Sequence, residues 1–310
     1  MAPALRRFGR GGARLGQNET RARLRGLTGR AKPLNMLLGL PEPCPGPPGD
    51  PGLFGPGSMA WRVHANPVVL AVGGVTAVVL ELAEPRVRTG VWAHSTFRTD
   101  PLRRMRRTAQ AALLTTFGPT ALARAGIEAV ERRHDSVTGM TADGEAYSAR
   151  DPVLADWVHV TAAYGFLTAY RRLLAPRLPA EDADRYWAEG REVARAYGAG
   201  SPPGSHAEAL AAIRTMKPRL RPSPVIDEFL DLVRRASPLG PAGRPLQGLV
   251  VEAALACLPP WAIGQLSLSD RPVRRAGAIA AARTLAVAAE TTPLPIVSEA
   301  YGRMSEPRPR

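Results

Sequence analysis

The chain has 310 residues, of which 45% are hydrophobic, so a sizeable core is available and wholesale disorder is excluded. Its formal net charge is +14, but residues 1–32 carry eight arginines and one lysine against a single glutamate. The two cysteines, Cys44 and Cys257, exclude a disulfide framework, a four-cysteine zinc site and a C-x-x-C-H haem attachment motif. They suit a reducing compartment, and we expect a cytoplasmic protein.

The N-terminal part, residues 1–48, is predicted to be a disordered tail. It is rich in arginine and ends in the Pro/Gly-dense stretch LPEPCPGPPGD. It has no apolar segment of the kind that a signal peptide needs, and Met36 offers an alternative start. Because Phe8 is the one aromatic residue among its arginines, we expect no specific nucleic-acid partner. Peripheral contact with a membrane through this tail is the alternative.

Residues 49–292 predict one all-α domain of about eight to ten helices, followed by a C-terminal tail at 293–310. Most helix starts follow one pattern, in which an acidic or small polar residue precedes proline. No stretch alternates with period two, so no strand is predicted. The predicted helices span residues 67–83, 101–117, 119–134, 152–174, 179–197, 205–216, 223–236, 246–258 and 273–290.

The first predicted helix, 67–83, is apolar on nearly all sides and should be central. It falls largely within the longest uncharged stretch of the chain, 63–80. That stretch contains His64, Asn66, Pro67 and a Gly-Gly pair, so we interpret it as a buried helix rather than a membrane span.

The helix that begins at Asp100-Pro101 carries the first candidate site. Arg104 and Thr108 are four residues apart and therefore share a face, while Arg103 and Arg107 form a neighbouring pair. Arginines this dense repel one another unless an anion lies nearby. Two interpretations remain open, a solvated basic face and a clamp for carboxylates or phosphates.

Two histidines have both structural and chemical interpretations. His134 ends a helix, where it could interact with the helix dipole or, if neutral, bind a metal. His159 is flanked by alanines, which fits a buried structural histidine or a wall of a ligand pocket. The five histidines form no H-x-x-x-H or H-E-x-x-H motif, and hydrolase, phosphate-loop and dinucleotide motifs are absent from the sequence.

Several segments, in this order and spacing, resemble the catalytic domain shared by MpaB-type oxygenases and latex-clearing rubber oxygenases. The resemblance covers roughly residues 50–270, with a weaker part after residue 185. The matching segments are LFGPGSMAWRVHANPVVLAVGG (53–74), GVWAHSTFRTDPLRRMRRTAQ (90–110), VERRHDSVTG (130–139) and YSARDPVLADWVHVTAAYGFLTAY (147–170).

The resemblance implies an all-helical fold around a haem-sized pocket that holds haem b, and therefore iron, non-covalently. It implies an oxidoreductase that acts with O2 on an unsaturated apolar substrate, such as an isoprenoid or a lipid. His134 corresponds to the iron ligand of the family. Arg104 and Thr108 correspond to cofactor-binding and catalytic positions near the haem, and His159 to a residue that lines the pocket.

One segment, LELAEP (80–85), departs from the family pattern. Many relatives have a glutamine and a histidine where this chain has Glu81 and Glu84. The departure at Glu84 has two interpretations. Either the lost histidine alters or abolishes the chemistry, which favours a non-catalytic haem- or lipid-binding protein, or Glu84 is a catalytic base with a raised pKa.

Overall fold

The computed structural model describes residues 44–305, and the predicted tail at 1–48 therefore lies almost wholly outside the described residues. The described chain is all-α, as predicted, apart from one small hairpin. Its helices are α1 Met59–His64, α2 Pro67–Ala83, α3 Pro85–His94, α4 Pro101–Phe117, α5 Thr120–His134, α6 Pro152–Leu173, α7 Ala180–Ala196, α8 His206–Met216, α9 Pro224–Arg235, α10 Arg244–Cys257, α11 Ala262–Gln265, α12 Pro272–Ala289 and α13 Pro295–Ser305. Two 3₁₀ turns, Lys217–Arg219 and Gly240–Gly243, precede α9 and α10.

Side-chain caps explain most of the helix starts. Asn66, Asp100 and Asp151 each accept backbone N–H groups of the first turn, and proline follows each of them at the first helical position. Glu84 caps α3 in the same way. The sequence pattern therefore predicted α2, α4 and α6 almost to the residue, and the same pattern at Glu84-Pro85 marks α3, which was not predicted.

The centre of the fold is the antiparallel pair α2 and α6, which form the most extensive helix contact among the described residues. The two backbones meet at Gly73 and Gly165. A Cβ atom at Gly165 would lie 2.3 Å from the carbonyl oxygen of Gly73, so only glycine permits this approach. Helices α10 and α12 cover one side of the pair. Helix α2 is thus central, as its apolar composition predicts.

Helices α4 and α5 form a helical hairpin outside the α2–α6 centre of the fold. Helix α5 packs extensively on α4 and on no other described element, and α4 reaches α1, α9 and α13 rather than α2 or α6. Leu114 of α4 faces Gly126 of α5 inside the hairpin. Among the described residues, the hairpin therefore makes no extensive helix–helix contact with the α2–α6 pair.

Three features differ from the prediction. The described residues contain thirteen α-helices rather than eight to ten, because four short or terminal helices were missed (α1, α3, α11 and α13). Thr138–Met140 and Ala146–Ser148 form a two-stranded antiparallel hairpin, β1–β2, with Gly139 opposite Tyr147. The segment predicted as a C-terminal tail, 293–310, contains the helix α13, which buries Ile296, Val297 and Ala300 against Trp61, Leu113 and Phe117.

Within residues 44–305, no single helix is long and apolar enough to cross a membrane. Helices α2 and α3 reach the required length and composition only as a pair, and that pair is bent by 111°.

Candidate functional site

We refer to the region between the α4–α5 hairpin and the α2–α6 pair, where the charge of Arg104 acts on Glu81, as the cleft. One face of that pair keeps accessible surface although both helices are otherwise mostly buried. The accessible residues recur at helical spacing on each helix and meet where Phe166 approaches Gly74 and Thr161 contacts Glu81. They are Gly74, Val78 and Glu81 of α2, and Val158, Ala162 and Phe166 of α6.

Arg104 lies on the hairpin side of this cleft. Its Nε donates to Ser95 Oγ at 3.3 Å, its guanidinium lies 5.0 Å from the centre of the Phe97 ring, and Nη1 donates to Thr108 Oγ1. Burial lowers the pKa of Arg104, and the charge of Glu81 opposes that effect. The structure thus brings Arg104 and Thr108 together, as their spacing of four residues predicts.

Glu81 is the carboxyl group that faces Arg104. Its side chain keeps some accessible surface, yet burial raises its pKa to about 7, and the charge of Arg104 and a hydrogen bond from Thr161 reduce the rise. Thr161 Oγ1 shares its one proton between Glu81 Oε1, at a long 3.4 Å, and the Val158 carbonyl oxygen at 2.9 Å. Because Glu81 is deep in the protein but keeps accessible surface, we place it on the wall of the cleft. Its carboxyl group can exchange a proton near neutral pH.

His134 ends α5 with its ring one-third exposed, at 34% of the side chain. Its Nδ1 lies 3.0 Å from Glu131 Oε1, and Arg150 in turn pairs with the second oxygen of Glu131. A carboxylate that accepts from Nδ1–H fixes the tautomer in which Nε2 carries the lone pair. Glu131 was not predicted as a site residue, although its position three residues before His134 is visible in VERRHD.

His159 lies on the same face of α6 as Ala162 and Phe166. Its ring meets Trp187 of α7 edge-on at 6.1 Å, and Gly190 leaves space beside it. Its Nε2 is buried and has no hydrogen-bond partner among the described residues. Burial lowers the pKa of His159 to about 4, so the ring is neutral at physiological pH.

His64, which was not predicted as a site residue, ties α1 to α4 and α7. Thr116 Oγ1 donates to the Ala112 carbonyl and therefore accepts from His64 Nδ1 at 2.8 Å. His64 Nε2 then accepts from the Tyr186 hydroxyl at 2.8 Å. Burial lowers the pKa of His64 to about 4, which keeps this bridge neutral. The bridge joins the hairpin to the neighbouring helices at one end of the cleft.

The surroundings of Glu84 differ from those of Glu81. Its carboxylate is fully buried, caps Val87 N–H at 2.9 Å, and receives Arg86 Nε at 3.0 Å and Arg219 Nη2 at 3.3 Å. Arg86 also pairs with Asp151. Glu84 therefore joins the start of α3 to the turn before α9 and to the start of α6. All of these contacts are structural, and the role of Glu84 as a catalytic base stays a prediction.

Among residues 44–305, no group of three or more histidine, cysteine, aspartate or glutamate side chains could hold a bare metal ion. Haem differs from such a site, because its iron takes four ligands from the porphyrin and needs as few as one from the protein. His134, with its Nε2 lone pair set by Glu131, fits that requirement. Arg104 on the same hairpin fits an anionic group.

Comparison with known proteins gives one match. Residues 61–290 match the family model described as "ER-bound oxygenase mpaB/B'/Rubber oxygenase, catalytic domain". No curated protein and no solved structure matches the chain.

Proposed function

The chain belongs to the family of MpaB/B′ and rubber oxygenase catalytic domains, and from this premise we propose a haem b-dependent oxygenase acting on an unsaturated apolar substrate. The substrate class is isoprenoid or lipid-like, and O2 is the second substrate. The observation that carries the proposal is the Glu131–His134 pair, which presents a histidine nitrogen with its lone pair free at the end of the hairpin.

The haem would be held from the hairpin side of the cleft. His134 Nε2 would be its protein ligand, and Arg104 would pair with a carboxylate of the cofactor. Thr108 would keep the Arg104 guanidinium in place through their shared hydrogen bond. When bound, the haem supplies the one-electron and dioxygen chemistry that amino-acid side chains lack.

The α2–α6 face supplies the walls for an apolar substrate. Val78, Val158 and Phe166 retain accessible apolar surface there, and His159, whose lowered pKa keeps it neutral, adds no charge. An extended hydrocarbon placed along these residues would exchange water for aliphatic and aromatic contacts, and this exchange favours binding. The same face excludes water from the substrate.

Glu81, not Glu84, is the base that we propose in this cleft. A pKa of about 7 means that the carboxyl group is divided between its two protonation states near neutral pH. It can therefore accept a proton from a substrate carbon or return one to an oxygen product at Oε1 or Oε2. Thr161, which donates to Oε1, would orient the carboxylate.

Oxygen uptake by the full chain after reconstitution with haemin tests this function. Unsaturated isoprenoids and fatty acids are compared with saturated substrates of equal length. We expect oxygen uptake and a carbonyl product with the unsaturated members alone. Haem bound in a one-to-one complex without oxygen uptake on any substrate would overturn the oxygenase and establish the alternative, a haem-binding protein on the same scaffold.

A further inference from the structure

A second recess lies away from the cleft, where the end of α9 meets the starts of α10 and α12. Its volume is about 770 Å³. None of its lining residues belongs to the site described above. The residues that line it are Arg234, Arg235, Pro241, Arg244, Pro245, Gly248, Leu249, Glu252, Arg274, Gly277 and Ala278. We refer to it as the α9–α10–α12 recess.

The recess is strongly basic, with four arginines and one carboxylate. Glu252, only 3% exposed, lies 3.4 Å from Arg274 and 3.9 Å from Arg234, and it holds these two guanidinium groups at the floor. Arg235 and Arg244 are exposed and have no ion-pair partner among residues 44–305. Guanidinium groups without a partner carboxylate are suited to phosphate oxygens.

Two long helices also begin at this recess with uncapped N-termini. Neither Gly243, before α10, nor Arg271, before α12, provides a side-chain hydrogen bond to the first turn. Seven other helices of the described chain have a Ser, Asn, Asp or Glu in that role. The dipoles of these two helices add positive potential to that of the arginines.

Exposed aliphatic side chains surround the basic groups. Leu239 is 45% exposed, Leu246 is 41% exposed and Val273 is 86% exposed, and each lies within two residues of one that lines the recess. No aromatic side chain lines the recess. Stacking on nucleic-acid bases would need aromatic rings, whereas aliphatic tips beside arginines match the edge between lipid head groups and acyl chains.

We propose that the α9–α10–α12 recess binds the head groups of anionic phospholipids and docks the protein on a membrane surface. Arg235, Arg244 and Arg274 contact lipid phosphates, while Leu246 and Val273 enter the outer acyl region. The buried Oε2 of Glu252, which has no hydrogen-bond partner among the described residues, accepts from a head-group hydroxyl. An anionic phospholipid matches both features of the recess: its phosphate matches the positive charge, and its acyl chains match the aliphatic rim.

Vesicle co-sedimentation of the full chain tests the proposal. We expect binding to phosphatidylcholine vesicles that contain phosphatidylglycerol, and none to pure phosphatidylcholine. Arg235→Glu combined with Arg274→Glu should weaken binding by roughly 30-fold or more, because each basic group near an anionic surface contributes a factor of roughly five. Val273→Asp, at a fully solvated tip, should give a smaller loss without affecting the fold.

The matched control is Arg124→Glu combined with Arg177→Glu, which changes the net charge equally at two exposed sites outside the recess. It should alter binding by less than about threefold. Equal losses in both double variants would overturn the proposal in favour of general attraction by the basic chain. Unchanged binding of the recess variants would also overturn it.

Discussion

Two glutamates one helical turn apart, at the end of α2, lie in opposite kinds of surroundings. Glu84 is enclosed by an N–H group and two arginines at 2.9–3.3 Å. Glu81 has one hydroxyl at 3.4 Å and the more distant charge of Arg104. The carboxylate with many donors stabilises the fold, and the one with few has a pKa near 7. The number of hydrogen-bond donors around each carboxylate, rather than the residue type, therefore distinguishes the structural glutamate from the one that titrates near neutral pH.

The largest effect is expected from Glu84→Ala. The substitution removes the α3 cap and leaves Arg86 without its buried carboxylate, so we expect a loss of about 3–5 kcal/mol in the free energy of unfolding. Denaturant unfolding measures it. Glu145→Ala, which removes an exposed partner of the same arginines, should cost less than about 1 kcal/mol. Equal effects of the two substitutions would contradict the structural role of Glu84.

Glu84→His, which introduces the histidine of many relatives, is a second test of the structural role of Glu84. The imidazole would replace a carboxylate among arginines and should therefore destabilise the protein by about 2 kcal/mol or more. It should not increase oxygen uptake, because position 84 faces the ionic cluster rather than the cleft. A gain in oxygen uptake at unchanged stability would show that position 84 belongs to the site.

Glu81→Gln should stabilise the protein at neutral and higher pH, whereas the substitutions of Glu84 should destabilise it. The pKa of Glu81 is about 7 in the folded protein, against an ordinary value of 4.5. The folded state therefore binds more protons between these values, and the free energy of unfolding falls as pH rises from about 4.5 to 7. Glutamine removes this fall, so the variant should be more stable than the parent at pH 8, by about 1–3 kcal/mol. Parallel stability curves from pH 4 to 8 would contradict the buried, protonatable carboxyl.

Arg104→Met tests the charge that Glu81 faces. The loss of a nearby cation should raise the pKa of Glu81 further, so the fall in stability that begins near pH 4.5 should extend to higher pH. Arg103→Met is the matched control, because that exposed neighbour on α4 does not act on Glu81. An identical pH profile for the two variants would place Arg104 away from the cleft.

Thr161→Val should give the smallest effect. It removes the hydroxyl that donates to Glu81 at 3.4 Å while keeping the shape of the side chain. We expect a loss of roughly 1 kcal/mol and a further rise in the pKa of Glu81. The pH dependence of thermal unfolding measures both, and a larger loss than in Glu84→Ala would reverse the comparison between the two glutamates.

Much of the fold could be predicted from local sequence, because helix starts of the form Asp-Pro or Asn-Pro combine a cap with a residue preset for the first turn. The Arg104–Thr108 contact was also predictable, since a spacing of four places both on one helix face. The role of Glu84 was not, because its partner Arg219 is 135 residues away in sequence. Packing between distant helices decided which glutamate faces the cleft.

The central claim, that the cleft holds haem through His134, is tested most directly by titrating the full chain with haemin and recording the Soret band. The parent protein and His94→Ala, a change at an exposed histidine, should both saturate at one haem per chain. His134→Ala should lose the band, and Glu131→Gln should weaken haem binding by about 10- to 100-fold. An unchanged Soret band and affinity in His134→Ala would contradict the claim.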